Sequence, residues 1–332
     1  MGVRERAAVA GSPGRPILGS IADFHNRTIA FWIGPWVVTT YAFFAGTAFF
    51  SGCTLFLWFC SMAGCDPVAM ARLQVLVTLP CALLGLRVFS ILTELKELFH
   101  HPLQTIIHPG YMLHGGVAGG AVAMAIIAHL TSTSVLVYLD GAALALPLGE
   151  AIARVGCHVY GCCWGRPTSG PLGIRYTSQH ASVVRNEPHL ANVRLHPVQM
   201  YSAVFAFLLW IPILLAIPHR RFDGMLAAIY CIAHPLGRFA LEHLRQDNRG
   251  RLWKGLTHTH FYSAVIFICG LAIWTERSSL PVSTLNPQIR WTQIATDGSV
   301  LAWVVPFALA FFLAYGVHYK AVGTWLYHRK QT

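Results

Sequence analysis

Runs of about twenty apolar residues recur along this chain from residue 29 almost to its end, and that recurrence limits the fold more than any single motif. A helix of such length crosses the hydrocarbon core of a bilayer with its backbone hydrogen bonds made internally. Candidate spans fall at 31–60, 73–92, 112–130, 134–155, 197–217, 225–244, 258–274 and 300–319, so about eight helices are expected, about seven of them in a first block. The first run is over-long and contains Gly34 and Pro35; an interfacial entry is expected there, with the membrane helix starting near Trp36. Hydrophobic residues make up 55% of the 332 and charged residues only 11%, with a mean hydropathy of +0.52. A soluble domain carries about 25% charged residues, so this supply cannot clothe a water-exposed surface. The expected fold is all-α, a polytopic transmembrane helical bundle with one additional C-terminal helix and a small extramembrane head.

The net charge of +11 raises the question of nucleic acid. No Lys/Arg-rich block is interleaved with aromatics, and basic loops facing anionic lipid headgroups account for the charge, so the bilayer is the expected partner and nucleic acid is not. Residues 1–30 hold Arg4, Arg6, Arg15 and Arg27 among Gly, Pro and Ala without a continuous apolar core, and are expected to form a flexible tail rather than a secretory signal. The membrane domain is expected over 31–275, with a surface head at 156–196 where Gly, Pro, Arg175, Arg185, Arg194 and several His gather. Residues 276–332 read as a linker and the extra helix. Short loops are nearly bare of charge; Arg220 and Arg221 mark one cytoplasmic candidate.

Against this apolar background Arg87, Asp140, Glu150, Arg154, Arg238, Glu242 and Arg245 fall within or at the ends of the spans, where an ionised side chain costs several kcal/mol unless paired or wetted. Glu150 and Arg154 share a helix face, as do Arg238, Glu242 and Arg245 at spacing i, i+4, i+7. Salt bridges that lock helices together are one reading. The other follows from the surplus of guanidinium over nearby carboxylate, which an anionic ligand restores to balance. In a membrane that anion is a lipid phosphate, for which arginine's planar fork is suited.

The stretch His114-Gly115-Gly116-Val117-Ala118-Gly119-Gly120 opens an apolar span. Gly115 with Gly119, and Gly116 with Gly120, form two overlapping small-xxx-small pairs that let a neighbouring helix approach closely. His114, at the mouth of this glycine-walled helix, is a candidate general base as well as an ordinary interfacial histidine.

Taken together, these segments resemble the prolipoprotein diacylglyceryl transferase family. His114-Gly115-Gly116 resembles that family's His-Gly-Gly motif, and Arg154-Val155-Gly156 through Trp164-Gly165-Arg166-Pro167-Thr168 is similar to its signature Gly-Arg-x-Gly-Asn…Gly-Glu-x-x-Gly-Arg-x-Thr. His196-Pro197-Val198-Gln199-Met200-Tyr201 resembles its His-Pro-Ser-Gln-x-Tyr-Glu, and the run Arg238 to Gln246 its Arg-x-x-x-Glu-x-x-Arg-Gln. Gly34-Pro35, Tyr41, Arg87 and Asp140 sit where the family keeps equivalents. Departures occur at Cys157, Tyr160, Cys162 and Ser202, which replace Asn, Asn, Glu and Glu, and at Glu150, where small residues are usual.

The resemblance implies transfer of a diacylglyceryl group from phosphatidylglycerol to the lipobox cysteine thiol of a prolipoprotein in a bacterial inner (cytoplasmic) membrane, with no metal or organic cofactor. It implies His114 as base or thiol-orienting residue and Arg154 and Arg238 as phosphate clamps, with Glu242 and Arg245 holding Arg238 and Tyr41 positioning the headgroup. Arg87, Gly115, Gly116, Asp140, Glu150, Arg166, His196, Gln199 and Tyr201 complete the expected substrate-binding set. A lipid-binding or lipid-moving protein on the same scaffold, without the chemistry, is the alternative. A solute transporter would want repeat symmetry, and none is seen.

Cys157, Cys162 and Cys163 cluster in sequence beside His158. The usual C-x2-C zinc spacing is absent; a disulfide, small-residue packing beside Gly161 and Gly165, and a covalent relay through one thiol remain open beside a metal.

Overall fold

The computed structural model describes residues 21–93, 95–101, 113–246, 251–253 and 256–323. Long helices occupy every expected span. They are α1 (Thr40–Met62), α2 (Pro67–Leu73) continuing through a π turn at Gln74–Thr78 into α3 (Leu79–Thr93), α4 (Leu113–Thr131), α5 (Val135–Tyr160), α6 (Val198–Ala216), α7 (Met225–Glu242), α8 (His258–Thr275) and α9 (Gly298–Gly316). Six of these segments are long and apolar enough to cross a membrane, counting α2 and α3 as one. In α7, His234, Arg238 and Glu242 dilute the apolar run. Leu84, Leu130, Leu215, Ile268 and Leu309 stand exposed on the outer faces, as a bilayer solvent permits and water does not. The chain is a multi-pass membrane protein.

Local chemistry sets the helix ends. Asp66 caps α2 by accepting the Ala69 N–H at 2.8 Å, with Pro67 at the first helical position, and Asp297 caps α9 through the Ser299 N–H at 2.8 Å. α5 starts at Ser134, whose hydroxyl accepts the Leu136 N–H, and stops at Gly161, left-handed at φ +73. A glycine tolerates that conformation without the Cβ clash.

The first helix starts four residues later than the expected Trp36, and the entry before it is built of strands. Residues 31–39 are a β-hairpin, β1 (Ile29–Ile33) paired with β2 (Trp36–Thr39), and the helix begins only at Thr40. Gly34 has φ +55 at the first turn position and Pro35 follows, which closes a two-residue hairpin turn and stops helix from propagating through it. β2 also pairs with the strand Val317–Tyr319 that follows α9. The last helix is thus anchored to the first: Phe49 stacks on Phe311 with centroids 4.1 Å apart, and Gly46 gives Phe312 room.

α1 and α5 lie antiparallel at the centre, with Gly141 beneath Phe56 and Phe59 and Gly156 against Tyr41 and Phe44. α4 packs on α3 backbone to backbone: a Cβ on Gly115 would collide with the Gly85 carbonyl, and one on Gly119 with the Cys81 carbonyl. Gly115 and Gly119 are therefore the working small-residue pair. Gly120 meets nothing within 4 Å, and Gly116 faces the Leu86 side chain.

At one end of the bundle the head, from Gly161 to Pro197, has its own small core of Trp164, Tyr176, Ala181, Val183, Leu190 and Leu195 and a two-stranded ladder, Ile174–Arg175 with Arg194–Leu195. It begins a turn later than residue 156 because α5 carries on to Tyr160. Residues 1–20 of the expected tail lie outside the described residues. The part from 23 to 28 packs on the head and the last turn of α5: His25 bonds the Arg175 carbonyl at 2.9 Å, and the buried Thr28 hydroxyl reaches the Val159 carbonyl.

At the opposite end the segment 276–297 is stitched across the helices. Trp58 Nε1 donates to the Ile289 carbonyl at 2.7 Å, and the Asn286 N–H to Met62 at 2.8 Å. Arg220 is sunk here rather than on a loop surface, its side chain 2% exposed, so of the two expected topology markers only Arg221 is exposed to act as one.

Candidate active site

α5 and α7 run parallel, and two polar rungs fix their register. Near their starts Asp140 accepts the Gly224 and Ala227 N–H groups, both at 2.9 Å, and further along Glu150 Oε2 accepts His234 Nε2 at 2.8 Å. One turn beyond that second rung stand Arg154 on α5 and Arg238 on α7, so the two guanidiniums leave their helices at one level.

Each is tied to a carboxylate on its own helix. Arg154 donates from Nε and Nη2 to Glu150 Oε1 at 3.1 and 2.9 Å. Arg238 Nη2 lies 2.8 Å from Glu242 Oε2, and Arg245 Nε 4.0 Å from the same oxygen. Glu242 also accepts the Thr257 hydroxyl at 3.3 Å, and that hydroxyl contacts His260 Nδ1 at 3.0 Å. Glu150 is thus held from two helices, and Glu242 from α7 and from Thr257 just ahead of α8, which gives every arginine bound to them a fixed direction.

The head closes over this end. The Arg166 N–H bonds the Leu244 carbonyl at 2.9 Å and its Nε the Arg245 carbonyl at 3.2 Å, while Gly165 bridges Arg245. Gly165 has to be small here, since a Cβ would meet His196 and Val198. An open cavity of about 330 Å3 lies at the seam, lined by Arg166, Pro167, Arg245 and Gln246. At this seam Arg154, Arg238 and Arg245 lie against two carboxylates, Glu150 and Glu242, and Arg166 donates to the Arg245 carbonyl beside them. The end of the bundle that carries the head is electropositive, suited to an anionic headgroup.

Other expected site residues take supporting places. Gln199 donates to the Cys162 carbonyl at 2.7 Å and to the Tyr176 hydroxyl at 3.4 Å, and so ties the head to α6. Burial pushes the Tyr176 hydroxyl well above its ordinary pKa, so it stays a donor, here to the His158 carbonyl at 2.9 Å. His196 and Tyr201 sit ring to ring, 6.2 Å apart, at the start of α6. Tyr41 packs against Gly156 and Tyr160, two and six residues beyond Arg154 on α5. Gly115 and Gly116 lie in the α3–α4 contact, with Arg87 on α3 two residues past Gly85. His114 is the second residue of α4, and its side chain lies outside the described residues.

Asp140 stands apart. It is fully buried about 21 Å down α5 from Arg154, and it bonds Arg220 at 2.9 Å, which also contacts Asp223 at 3.0 Å. Asp223 in turn accepts the Ser283 hydroxyl at 2.6 Å. That network fastens the far end of the bundle.

Residues replacing the expected amides and carboxylates have partners of their own. The Tyr160 hydroxyl accepts Arg185 Nη2 at 3.1 Å, and Ser202 bonds the Val198 carbonyl within α6. The charge pattern did not single out His234, nor Thr257 and His260 beside Glu242. The signal for His234 is in the spacing: His234, Arg238 and Glu242 recur every four residues along one face of α7.

The family model for prolipoprotein diacylglyceryl transferase matches residues 28–276, three-quarters of the chain, spanning every helix that builds this end. The chain belongs to that family. Within the prolipoprotein diacylglyceryl transferase family it is similar to the phosphatidylglycerol–prolipoprotein diacylglyceryl transferase of Clostridium tetani (strain Massachusetts / E88), 29% identical over 194 residues that cover 58% of this chain and 74% of the relative. The second enzyme so named from Clostridium perfringens (strain 13 / Type A) is 28% identical over 240 residues, 71% of this chain and 90% of its own length. The Thermosynechococcus vestitus (strain NIES-2133 / IAM M-273 / BP-1) transferase reaches 35% over a shorter stretch, 42% of this chain and 51% of its own. The family match stops before α9, the helix that the first hairpin anchors through β2.

Proposed function

We propose that this protein transfers the diacylglyceryl group of phosphatidylglycerol to the thiol of a lipobox cysteine in a prolipoprotein, within a bacterial inner membrane. The observation that carries the reading is the placement of Arg154 and Arg238 at one level of two parallel helices, cross-linked through Glu150 and His234. Two forks held at one depth by their own carboxylates grip the phosphate of a lipid whose acyl chains lie along the apolar outer faces.

In the reaction a sulfur–carbon bond forms at the glycerol carbon and the carbon–oxygen bond to the phosphate breaks, so glycerol phosphate leaves. The thiol proton must go to a base, because a thiol of pKa about 8.5 is mostly protonated at neutral pH. His114 is assigned that role. The negative charge that grows on the leaving phosphate is met by Arg154 and Arg238, whose directions are set before lipid arrives, so little reorganisation is required as the bond breaks. Glu242 and Arg245 hold Arg238, Arg166 closes the seam beside the cavity, and Tyr41 bounds the headgroup side of α5.

The test is transfer from phosphatidylglycerol to a lipobox peptide by the protein reconstituted in vesicles. His114→Ala, Arg154→Ala and Arg238→Ala are each expected to lower the rate by about 100-fold or more. Variants that insert normally and transfer as fast as the parent overturn the assignment.

A further inference from the structure

Cys157, Cys162 and Cys163 bring three sulfur atoms together beside Arg154, all within 4.8 Å of one another. The fold works to make this cluster. Gly161 turns the chain back on itself at φ +73, so that residues 162 and 163 return over the last turn of α5, and Cys163 takes the left-handed conformation itself at φ +59. A non-glycine residue is uncommon in that region, and with this turn the Cys162 and Cys163 sulfurs lie beside that of Cys157. Tyr41 packs at Gly156 and Tyr176 at Gly161, the glycines flanking this turn, and Gln199 grips the Cys162 carbonyl at 2.7 Å. Among the described residues no fourth His, Cys, Asp or Glu joins the group.

We propose that these three cysteines form a binding site for a single thiophilic metal ion, held by three thiolates. The spacing suits a shared ion. With metal–sulfur bonds of about 2.3 Å, sulfurs in a trigonal shell lie about 4.0 Å apart, so the observed group has to tighten by less than about 1 Å. A disulfide needs two sulfurs at about 2.05 Å and leaves the third cysteine without a role. Each thiol gives its proton to water as its sulfur bonds the ion, and three soft donors with no nitrogen or oxygen partner select Cu(I) or Zn(II) over harder cations. The nearby Arg154 guanidinium offsets the negative charge of such a thiolate shell. Zn(II) prefers a fourth ligand and would take water there, whereas Cu(I) is content with three sulfurs. The shared chemistry is thiolate ligation, and the two ions are separate arms of the test.

The full chain, purified in detergent under reducing, anaerobic conditions, is titrated with Cu(I) or with Zn(II) against a competing chelator. One equivalent of one of these ions is expected to bind below micromolar concentration, with three sulfur neighbours counted by X-ray absorption. Cys157→Ser, Cys162→Ser and Cys163→Ser each lower that affinity by more than about 100-fold, beyond what loss of an outer-sphere partner costs. Cys231→Ser with Cys269→Ser leaves it unchanged. Thermal melting on and off metal provides a check that the serine variants fold. Absence of submicromolar binding by both ions, binding that survives the triple serine variant, or a shell with fewer than three sulfurs overturns the proposal. The readout is binding, so it stands or falls apart from the lipid transfer assigned to the neighbouring arginines.

Discussion

Replacing Glu150 by Ala is expected to destabilise the protein by about 3–5 kcal/mol, the cost of leaving a partly buried cation without its partner. Glu150 receives two N–H bonds from Arg154, at 2.9 and 3.1 Å, and one from His234 at 2.8 Å. The three side chains are 14%, 20% and 18% exposed for Arg154, Glu150 and His234, so little water reaches the group left behind. Three charge-assisted bonds at about 1.5–3 kcal/mol each would sum to more than this. They share one carboxylate and are not additive, and water entering at the headgroup level recovers part of the loss. Glu150→Gln keeps an oxygen for Arg154 but gives up the charge, and is expected to cost roughly half as much. The assay is reversible unfolding in mixed micelles with added denaturing detergent, read by tryptophan fluorescence. A double-mutant cycle with His234→Ala is expected to show coupling of about 1–2 kcal/mol across the α5–α7 contact. A Glu150→Ala variant within about 0.5 kcal/mol of the parent, or a coupling near zero, would refute the view that this carboxylate locks the two helices.

Gly119→Val drives a side chain into the Cys81 carbonyl and is expected to destabilise the α3–α4 pair by about 1–3 kcal/mol or more, while Gly120→Ala, facing open space, is neutral in the same unfolding assay. Arg220→Ala leaves Asp140 and Asp223 buried, 0% and 1% exposed, without their cation; a loss of about 3–5 kcal/mol is expected, and a thermal melt matching the parent would remove the network's structural role. Burial pushes His318 down to about 4, with Arg185 adding to the effect. The unfolded chain takes up that proton near pH 6.5 and the folded chain only near 4, so the stability contributed by neutral His318 is whole above about 6.5 and is lost as pH falls toward 4. Melting temperatures of the parent and of His318→Gln, compared from about pH 7.5 to about pH 4.5, are expected to fall more steeply for the parent; parallel slopes would exclude the histidine as the cause.

Much of this molecule follows from sequence because the membrane simplifies the problem. A segment crossing hydrocarbon must satisfy its own backbone, so apolar length alone names helix, and α3 to α9 lie where the runs of apolar residues put them. The i, i+4 pairs Glu150 with Arg154 and Arg238 with Glu242 were legible for the same reason, since helix geometry places them on one face without reference to anything else. Contacts between distant segments carry no such periodic mark. That Glu150 reaches His234, that Asp140 binds Arg220 rather than standing with Arg154, and that the strand after α9 pairs with β2 depend on which helices become neighbours and in what direction they run. Gly34 and Pro35 marked an entry before the first helix, but that residues 36–39 are a strand was decided by the hairpin turn at Gly34, φ +55, and by the partner strand arriving from the far end of the chain. Sequence determined which residues are helical and which charges share a face; tertiary packing, the parallel register of α5 and α7 above all, decided which charges meet across segments, because an interhelical bond a few ångströms long is fixed by the register of two helices and by neither one separately.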